Sequence, residues 1–369
     1  MKILVTGSKG FVGKNLVAEL KNRKYVNIYE YNSDTLPEKL DMFTADCNFV
    51  FHLAGVNRPH NEGEFMDGNF GFTSLLLESL KKHNNKAPVL ITSSIQSELD
   101  NPYGRSKKAA EDLMFTYGKE TGALVYVYRL PNVFGKWCRP NYNSAVATFC
   151  YNIANDIEIK INDPNANINL VFIDDVVNEF IFAMEGNTSE NSDFCYVQIT
   201  IQTTVGDIAE LIKSFRDSRQ NRSIPDMSDS FTKKLYSTYI SYLPTNQFSY
   251  SLDMHIDKRG SFTEFIKTAN NGQISVNVSK PGVTKGNHWH QTKNEKFLVV
   301  SGKGVIKFRR IDDDEVIEYY VSEDKLEVVE IPPGYTHNIT NLGDTDMVTV
   351  MWVNECFNSD MPDTYFLEV

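Results

Sequence analysis

The segment MKILVTGSKGFVG (1–13) sets the reading of the first half of the chain. KILVTG (2–7) has the apolar, β-branched texture of a buried strand, and a helical period takes over from about Gly10 to Lys21. Between them Gly7, Gly10 and Gly13 stand at Gly-x-x-Gly-x-x-Gly spacing. Glycines at a strand-to-helix turn let backbone N–H groups approach a pyrophosphate at the helix N-terminus, where the macrodipole favours negative charge. Gly7, Lys9, Gly10, Phe11, Val12 and Gly13 are therefore the candidate nucleotide-cofactor loop. The same spacing also serves an ordinary tight turn, so the loop gains its weight from motifs further along the chain.

Strand-like runs continue at 26–32, 47–55, 87–94 and 123–130, with helical patterns over 69–83 and 103–120. That alternation implies βαβ units and a doubly wound parallel sheet of Rossmann type. After about residue 250 the texture changes to short alternating strands punctuated by Gly, Asn, Asp and Pro, which reads as an all-β sandwich or barrel. The polar stretch YLPTNQFS (242–249) marks the join, giving expected domains of 1–246 and 247–369.

At 369 residues, 41% hydrophobic and 23% charged, the composition is that of a globular chain with two or three domains. A net charge of −11 lacks the basic stripe that nucleic acid requires. No apolar run approaches the roughly 18 residues of a membrane helix, and Ile3–Val5 is too short for a secretory leader. The five cysteines are scattered, without a Cys-x-x-Cys pair, which fits a reducing, cytoplasmic setting.

Tyr103 and Lys107 lie one helical turn apart and share a face. An ammonium beside a phenol is expected to lower the phenol's pKa, so that Tyr103 can pass a proton to a carbonyl oxygen as hydride arrives. Ser94, ending the preceding strand, can donate a hydrogen bond to the same oxygen. Ser94, Tyr103 and Lys107 are the candidate catalytic set.

These residues carry a resemblance. TGSKGFVG (6–13), FHLAG (51–55), GNFGFTSLLLE (68–78), TSS with YGRSK (92–94 and 103–107), YRLPNVFG (128–135) and FIDDVV (172–177) resemble, in order, the motifs of extended short-chain dehydrogenase/reductases that act on nucleotide sugars. The resemblance covers about 1–240 and implies a nicotinamide cofactor, with Asn132 touching the sugar nucleotide's phosphates. The interval from Ser94 to Tyr103 is short, as is that before FHLAG, so a strand or helix is expected to be trimmed there. The second strand ends YEYN (29–32) without an acid at Tyr31 or Asn32 for a ribose 2′-hydroxyl, while Lys9 suits a 2′-phosphate. NADP(H) is the expected cofactor, with Glu30 the acid to watch.

In GNHWHQTKNEKFLVVSG (286–302), His288 and His290 share a strand face, and Glu295 follows on the adjoining strand. PPGYTHNITN (332–341) adds His337. Three imidazoles and a carboxylate suit zinc or another divalent transition metal. The spacing resembles both motifs of the cupin barrels, except that Leu326 replaces a leading glycine. DKRGSFTEFIK (257–267) and GVTKGNH (282–288) also resemble dTDP-4-keto-deoxyhexose 3,5-epimerases. In those enzymes the residue matching His288 is a base, a role hard to combine with metal ligation, so the base is left open among an unliganded His288, a metal-bound hydroxide, Tyr335 and Glu264.

A 4-keto sugar joins the halves. Its ketone acidifies the neighbouring C–H, so inversion at carbon 3 must precede reduction at carbon 4. The combination is similar to bifunctional bacterial capsular-polysaccharide enzymes. That resemblance implies a homodimer and a UDP-2-acetamido-2,6-dideoxy-4-keto-hexose substrate, reduced with NADPH to a UDP-N-acetyl-6-deoxy-L-talosamine on the route to N-acetyl-L-fucosamine. Two rivals stay open: a reductase whose cupin is a metal-stabilised dimerisation module, and a sugar-nucleotide sensor without catalysis.

Overall fold

A computed structural model describes residues 1–187, 193–270 and 272–369. Contacts divide the chain into two compact units, Met1–Lys213 with Lys234–Pro244, and Ser214–Lys233 with Thr245–Val369. Ser214–Lys233 groups with the later unit because its end is tied to a strand there. Lys267 donates its N–H to Arg222 O at 2.8 Å, and Ile224 donates back to Lys267 O at 2.9 Å. Among the described residues, no helix is long and apolar enough to cross a membrane.

The first unit is built on β1 (Lys2–Thr6), β2 (Asn27–Tyr31), β3 (Phe49–His52), β4 (Val89–Ser94) and β5 (Val125–Leu130). They form one parallel sheet in the order β2-β1-β3-β4-β5. The chain leaves β1 toward one edge and returns to β3 on the other side. This is a topological switch point, where open α/β sheets bind ligands beyond their carboxyl ends. FHLAG lies on the third strand, so the sheet ends at β2 and is trimmed as expected. The helix before it is retained, as α2 in the series α1 (Phe11–Asn22), α2 (Pro37–Asp46), α3 (Gly63–Phe65), α4 (Phe72–Lys82), α5 (Pro102–Thr121), α6 (Ala145–Ala154) and α7 (Ile173–Met184). Ile3, Val5, Leu16, Leu20, Phe51 and Phe180 fill one face of the sheet; Leu4, Val50, Leu76, Leu80, Met114 and Tyr117 fill the other. Burial on both faces explains why these strands read as continuous apolar runs. The short β6 (Asn132–Phe134), β7 (Asn167–Phe172) and β8 (Ile201–Thr204) form a separate small sheet.

The second unit contains two antiparallel sheets. One has six strands in the order β16-β13-β18-β11-β10-β9. They are β9 (Met254–Asp257), β10 (Gly260–Thr268), β11 (Gly272–Ser279), β13 (Glu295–Ser301), β16 (Val328–Ile331) and β18 (Met347–Val353). The other has five, β15-β14-β17-β12-β19. They are β12 (Thr284–Trp289), β14 (Lys303–Arg310), β15 (Val316–Ser322), β17 (Tyr335–Asn341) and β19 (Tyr365–Phe366). Phe297, Val299, Ile306, Phe308, Ile331 and Ile339 make an apolar core from strands of both sheets. Elsewhere the buried side is polar: Gln273, Ser275, Asn277 and Ser279 alternate inward along β11.

Candidate active sites

The glycine loop sits at the switch point of the first sheet. Gly7 has φ +70, and a Cβ there would lie 2.8 Å from Ala54 Cα, just beyond β3. A Cβ on Gly13 would lie 2.2 Å from Gly7 O. These glycines are therefore demanded by the close approach of three backbone segments. Gly10 caps α1 without a side-chain hydrogen bond, and no acid stands in the first turn. Such a helix end is open to an anion. Gly7, Lys9, Gly10, Phe11, Val12 and Gly13 all line one cavity of about 690 Å³, together with Ser94, Tyr103, Lys107 and Asn132. The cradle and its donors fit a dinucleotide.

Tyr103 stands in the first turn of α5, whose N-cap Asn101 accepts from Gly104 N–H at 2.7 Å. Ser94 ends β4, and its hydroxyl accepts from Gln96 N–H at 3.1 Å. The expected lowering of the phenol is not what the environment produces. Burial raises Tyr103, and only its hydrogen bond with Ser94 works against that. Lys107 does not reach over to the hydroxyl. Its Nζ donates to Thr92 O at 3.1 Å and lies 6.0 Å from the Tyr103 ring centroid. Burial pushes Lys107 down to about 8, with Glu111 opposing.

Asn69 lies in a π-helical stretch, Met66–Gly71, between α3 and α4. It ties that turn to the site by accepting from Val56 N–H at 2.9 Å and donating to Ser106 Oγ at 2.9 Å. Asn132 is exposed at the start of β6, with Nδ2 3.3 Å from Asn169 O. Sequence reading overlooked the loop before α6: Trp137, Arg139 and Tyr142 line the same cavity, with the Arg139 guanidinium 5.1 Å from the Tyr142 ring centroid. Asp34 was also overlooked. It ion-pairs with Lys9, which is expected to meet a 2′-phosphate. Glu30 pairs instead with Lys21 at 3.2 Å.

In the second unit, His288, His290, Glu295 and His337 come together with one donor atom each, all within 4.8 Å of one another. The two sheets divide the task. His288 on β12 is registered opposite His337 on β17, while Glu295 opens β13 in the other sheet. Glu295 Oε2 is 3.2 Å from His337 Nε2 and 3.6 Å from His290 Nε2. Tetrahedral zinc with bonds of about 2.0–2.1 Å would separate its ligands by about 3.3 Å. His290 Nε2, Glu295 Oε2 and both His337 ring nitrogens are buried without a hydrogen-bond partner. Orphaned buried polar atoms are costly and call for an explanation, and a divalent metal provides one for His290 Nε2, Glu295 Oε2 and one of the two His337 nitrogens. Burial raises Glu295, but His290 and His337 outweigh it and hold the carboxyl at about 2. Burial brings His288 down to about 4, which keeps a ligand lone pair free.

His288, Glu295 and His337 line a cavity of about 630 Å³, along with Asn277, Lys285 and Arg259. Lys285 and His288 are three residues apart and in a regular strand would face opposite ways. A bulge between Gly286 and His288, with Asn287 at φ 62, turns both toward the cavity. Lys285 Nζ donates to Asn277 Oδ1 and Val278 O at 2.8 Å each, and burial lowers its pKa. Two of the alternative bases lie elsewhere. Glu264 is bound to Lys267 at 2.9 Å and Arg222 at 3.1 Å, and Tyr335 packs on the apolar core.

Comparison with known proteins places this geometry. Residues 3–195 match the NAD dependent epimerase/dehydratase family, and residues 255–365 match the polysaccharide biosynthesis C-terminal domain. The chain belongs to the NAD dependent epimerase/dehydratase family. It is 47% identical, over 100% of its length and 99% of the relative's, to the UDP-2-acetamido-2,6-beta-L-arabino-hexul-4-ose reductase of Pseudomonas aeruginosa. The capsular polysaccharide assembling protein CapF from Staphylococcus aureus superposes with a TM-score of 0.95 at 55% identity, covering all of both chains. CapF with the inhibitor 3-isopropenyl-tropolone gives a TM-score of 0.91 at 52% identity, again over both whole chains. The family thus carries the parallel sheet, and the likeness to CapF extends through the antiparallel sheets.

Proposed function

We propose that the chain is a bifunctional sugar-nucleotide enzyme of capsule biosynthesis. Residues 247–369 epimerise carbon 3 of a UDP-2-acetamido-2,6-dideoxy-4-keto-hexose, and residues 1–246 then reduce the 4-keto group with NADPH. The carrying observation is that two chemically distinct cavities occupy one chain. One holds a glycine cradle with Ser94, Tyr103 and Lys107; the other is lined by His288, His337 and Glu295 of a cluster, completed by His290, whose buried donor atoms are in part orphaned. The reductase activity of the P. aeruginosa relative supports the first reaction class.

In the reductase cavity Gly7, Gly10, Phe11, Val12 and Gly13 receive the cofactor's pyrophosphate, and Lys9 its 2′-phosphate. NADPH, when bound, supplies the hydride. Tyr103 delivers the proton to the ketone oxygen and Ser94 holds that oxygen by a hydrogen bond. Lys107, lowered to about 8, places positive charge beside the reacting groups. Asn132 and Arg139 offer a donor and a cation to the substrate diphosphate.

In the other cavity His288, His290, Glu295 and His337 would hold zinc or a similar divalent ion. Such a metal, when bound, supplies Lewis acidity for charge building on the 4-oxo oxygen. Lys285 adds a second positive charge on the same wall. The inhibitor bound by CapF is a tropolone, whose vicinal oxygens form a chelating pair, and this supports a metal reading. Four protein donors could instead close a structural site. Three of the four, His288, Glu295 and His337, line a cavity of about 630 Å³, however, within the range of small-molecule sites, which a structural ion does not need.

The test supplies the purified protein with the UDP-4-keto sugar. Deuterium entering the sugar in D₂O without NADPH, and NADPH oxidation when it is added, are the expected results. NADPH oxidation without deuterium uptake would remove the epimerase and leave a metal-stabilised module.

A further inference from the structure

We propose that Asp363 is a positioning residue for the metal site, acting through His290 and the turn that joins two ligands. The inference rests on the metal reading above. His290 follows β12 and Glu295 begins β13, so residues 291–294 connect ligands belonging to different sheets. That turn has little to hold it from within. It is clasped by a segment some 70 residues later in the chain.

The clasp has two parts. The Asp363 carboxylate accepts N–H bonds from Gln291 at 3.0 Å, Thr292 at 2.9 Å and Lys293 at 2.9 Å, and the Thr292 hydroxyl at 3.1 Å. These are charge-assisted bonds to three consecutive amides, so the carboxylate fixes the path of the turn. The Asp363 carbonyl oxygen lies 2.6 Å from His290 Nδ1. A carbonyl can only accept, so Nδ1 carries the proton and Nε2 keeps its lone pair. Nε2 is the atom buried without a partner and 3.6 Å from Glu295 Oε2. One residue therefore selects the ligand tautomer of His290 and sets the spacing to Glu295.

The surrounding segment holds Asp363 in place. Tyr365 and Phe366 pair with Trp289 and His288 as β19, and Leu367 donates to Asn287 O at 3.0 Å. Lys293, 5% exposed, donates to Pro362 O. Asp363 itself adopts φ 38, a left-handed conformation uncommon outside glycine and stable only where neighbours impose it. Partners of this kind, which orient metal-ligating histidines, typically change metal affinity by about 10–100-fold when lost.

The experiment uses the full chain stripped of metal and titrated with Co²⁺ and Zn²⁺ against a chromogenic chelator. Asp363→Ala keeps the carbonyl but removes the carboxylate that fixes the turn and the place of that carbonyl, and is expected to weaken both affinities by about 10–100-fold and alter the Co²⁺ ligand-field spectrum. The thermal midpoint of the stripped protein serves as the control for a purely structural loss. Wild-type protein that binds neither ion would remove the metal reading and the clasp with it. Wild-type binding matched within about twofold by Asp363→Ala would overturn the clasp alone and leave the metal reading standing. Should that variant not fold, ¹⁵N-histidine-labelled wild type decides. Long-range ¹H–¹⁵N correlations should show His290 protonated at Nδ1, and coordination through Nδ1 would overturn the proposal.

Discussion

His52 is held by a directional chain of hydrogen bonds. Thr73 donates to Asn69 O at 2.5 Å, so its oxygen must accept from His52 Nε2–H at 2.8 Å. Nδ1 then accepts from the Thr6 hydroxyl, also at 2.8 Å. Burial, with the charge of Lys107 adding to it, brings this imidazole down to about 3. Between about pH 6.5 and 3 the unfolded chain binds a proton that the folded chain refuses. Stability therefore falls as pH drops through that window, with a slope from this group approaching 1.4 kcal/mol per pH unit. His52→Asn should be less stable at neutral pH but lose less on acidification. Denaturant midpoints taken from pH 7 to 4 would show parallel curves if the prediction fails. A second residue-scale expectation concerns the nucleotide. Lys9→Ala should reduce the preference for NADPH over NADH by about tenfold, through loss of a charge-assisted phosphate contact. Asp34→Asn, which frees Lys9 from its ion pair, should shift the preference the other way. Steady-state kinetics with both nucleotides measures this, and unchanged ratios would exclude Lys9 as the 2′-phosphate partner.

At the scale of elements, the β1–α1 turn works by exclusion of side chains. Gly13→Ala would set a Cβ against Gly7 O at 2.2 Å, a backbone atom that cannot swing away. A stability loss on the order of 1–3 kcal/mol is expected from such overpacking, with NADPH affinity reduced further. Thermal melts with and without cofactor separate the two effects. This turn was legible in the sequence because strand, glycines and helix are consecutive, and the cluster of His288, His290, Glu295 and His337 was legible because the first three are nearly so. Less local features were hidden. The bulge at Gly286–Asn287 changes which face Lys285 occupies, and no alternation rule reports it. On β11 the buried residues are Gln273, Ser275, Asn277 and Ser279, so hydropathy alone points to the wrong face. The Tyr103 phenol was misjudged because spacing shows that Lys107 is near but not that its ammonium is bound to Thr92 O. Asp363 meets the turn between His290 and Glu295 only through tertiary folding.

For the whole molecule, the relevant fact is that each cavity is lined by one unit alone. The cavity at the glycine loop draws on residues up to Leu170, and the cavity at His288, Glu295 and His337 on residues from His255 onward. Neither lining needs a side chain from the other, so the two steps should be separable by mutation. Tyr103→Phe removes the proton donor and should abolish NADPH oxidation while leaving deuterium uptake near wild type. His337→Ala removes a buried ligand, and should abolish uptake and, with it, NADPH oxidation that begins from the unepimerised sugar. Each protein is then inactive overall for a different reason. If the epimerised ketone is released into solution, His337→Ala protein still holds the reductase that consumes it. Mixing the two variants should therefore restore NADPH oxidation to a substantial fraction of the wild-type rate, rising with the concentration of the Tyr103→Phe partner. A mixture that stays inactive, while each variant keeps its own half-reaction, would mean that the ketone passes from one cavity to the other without leaving the protein.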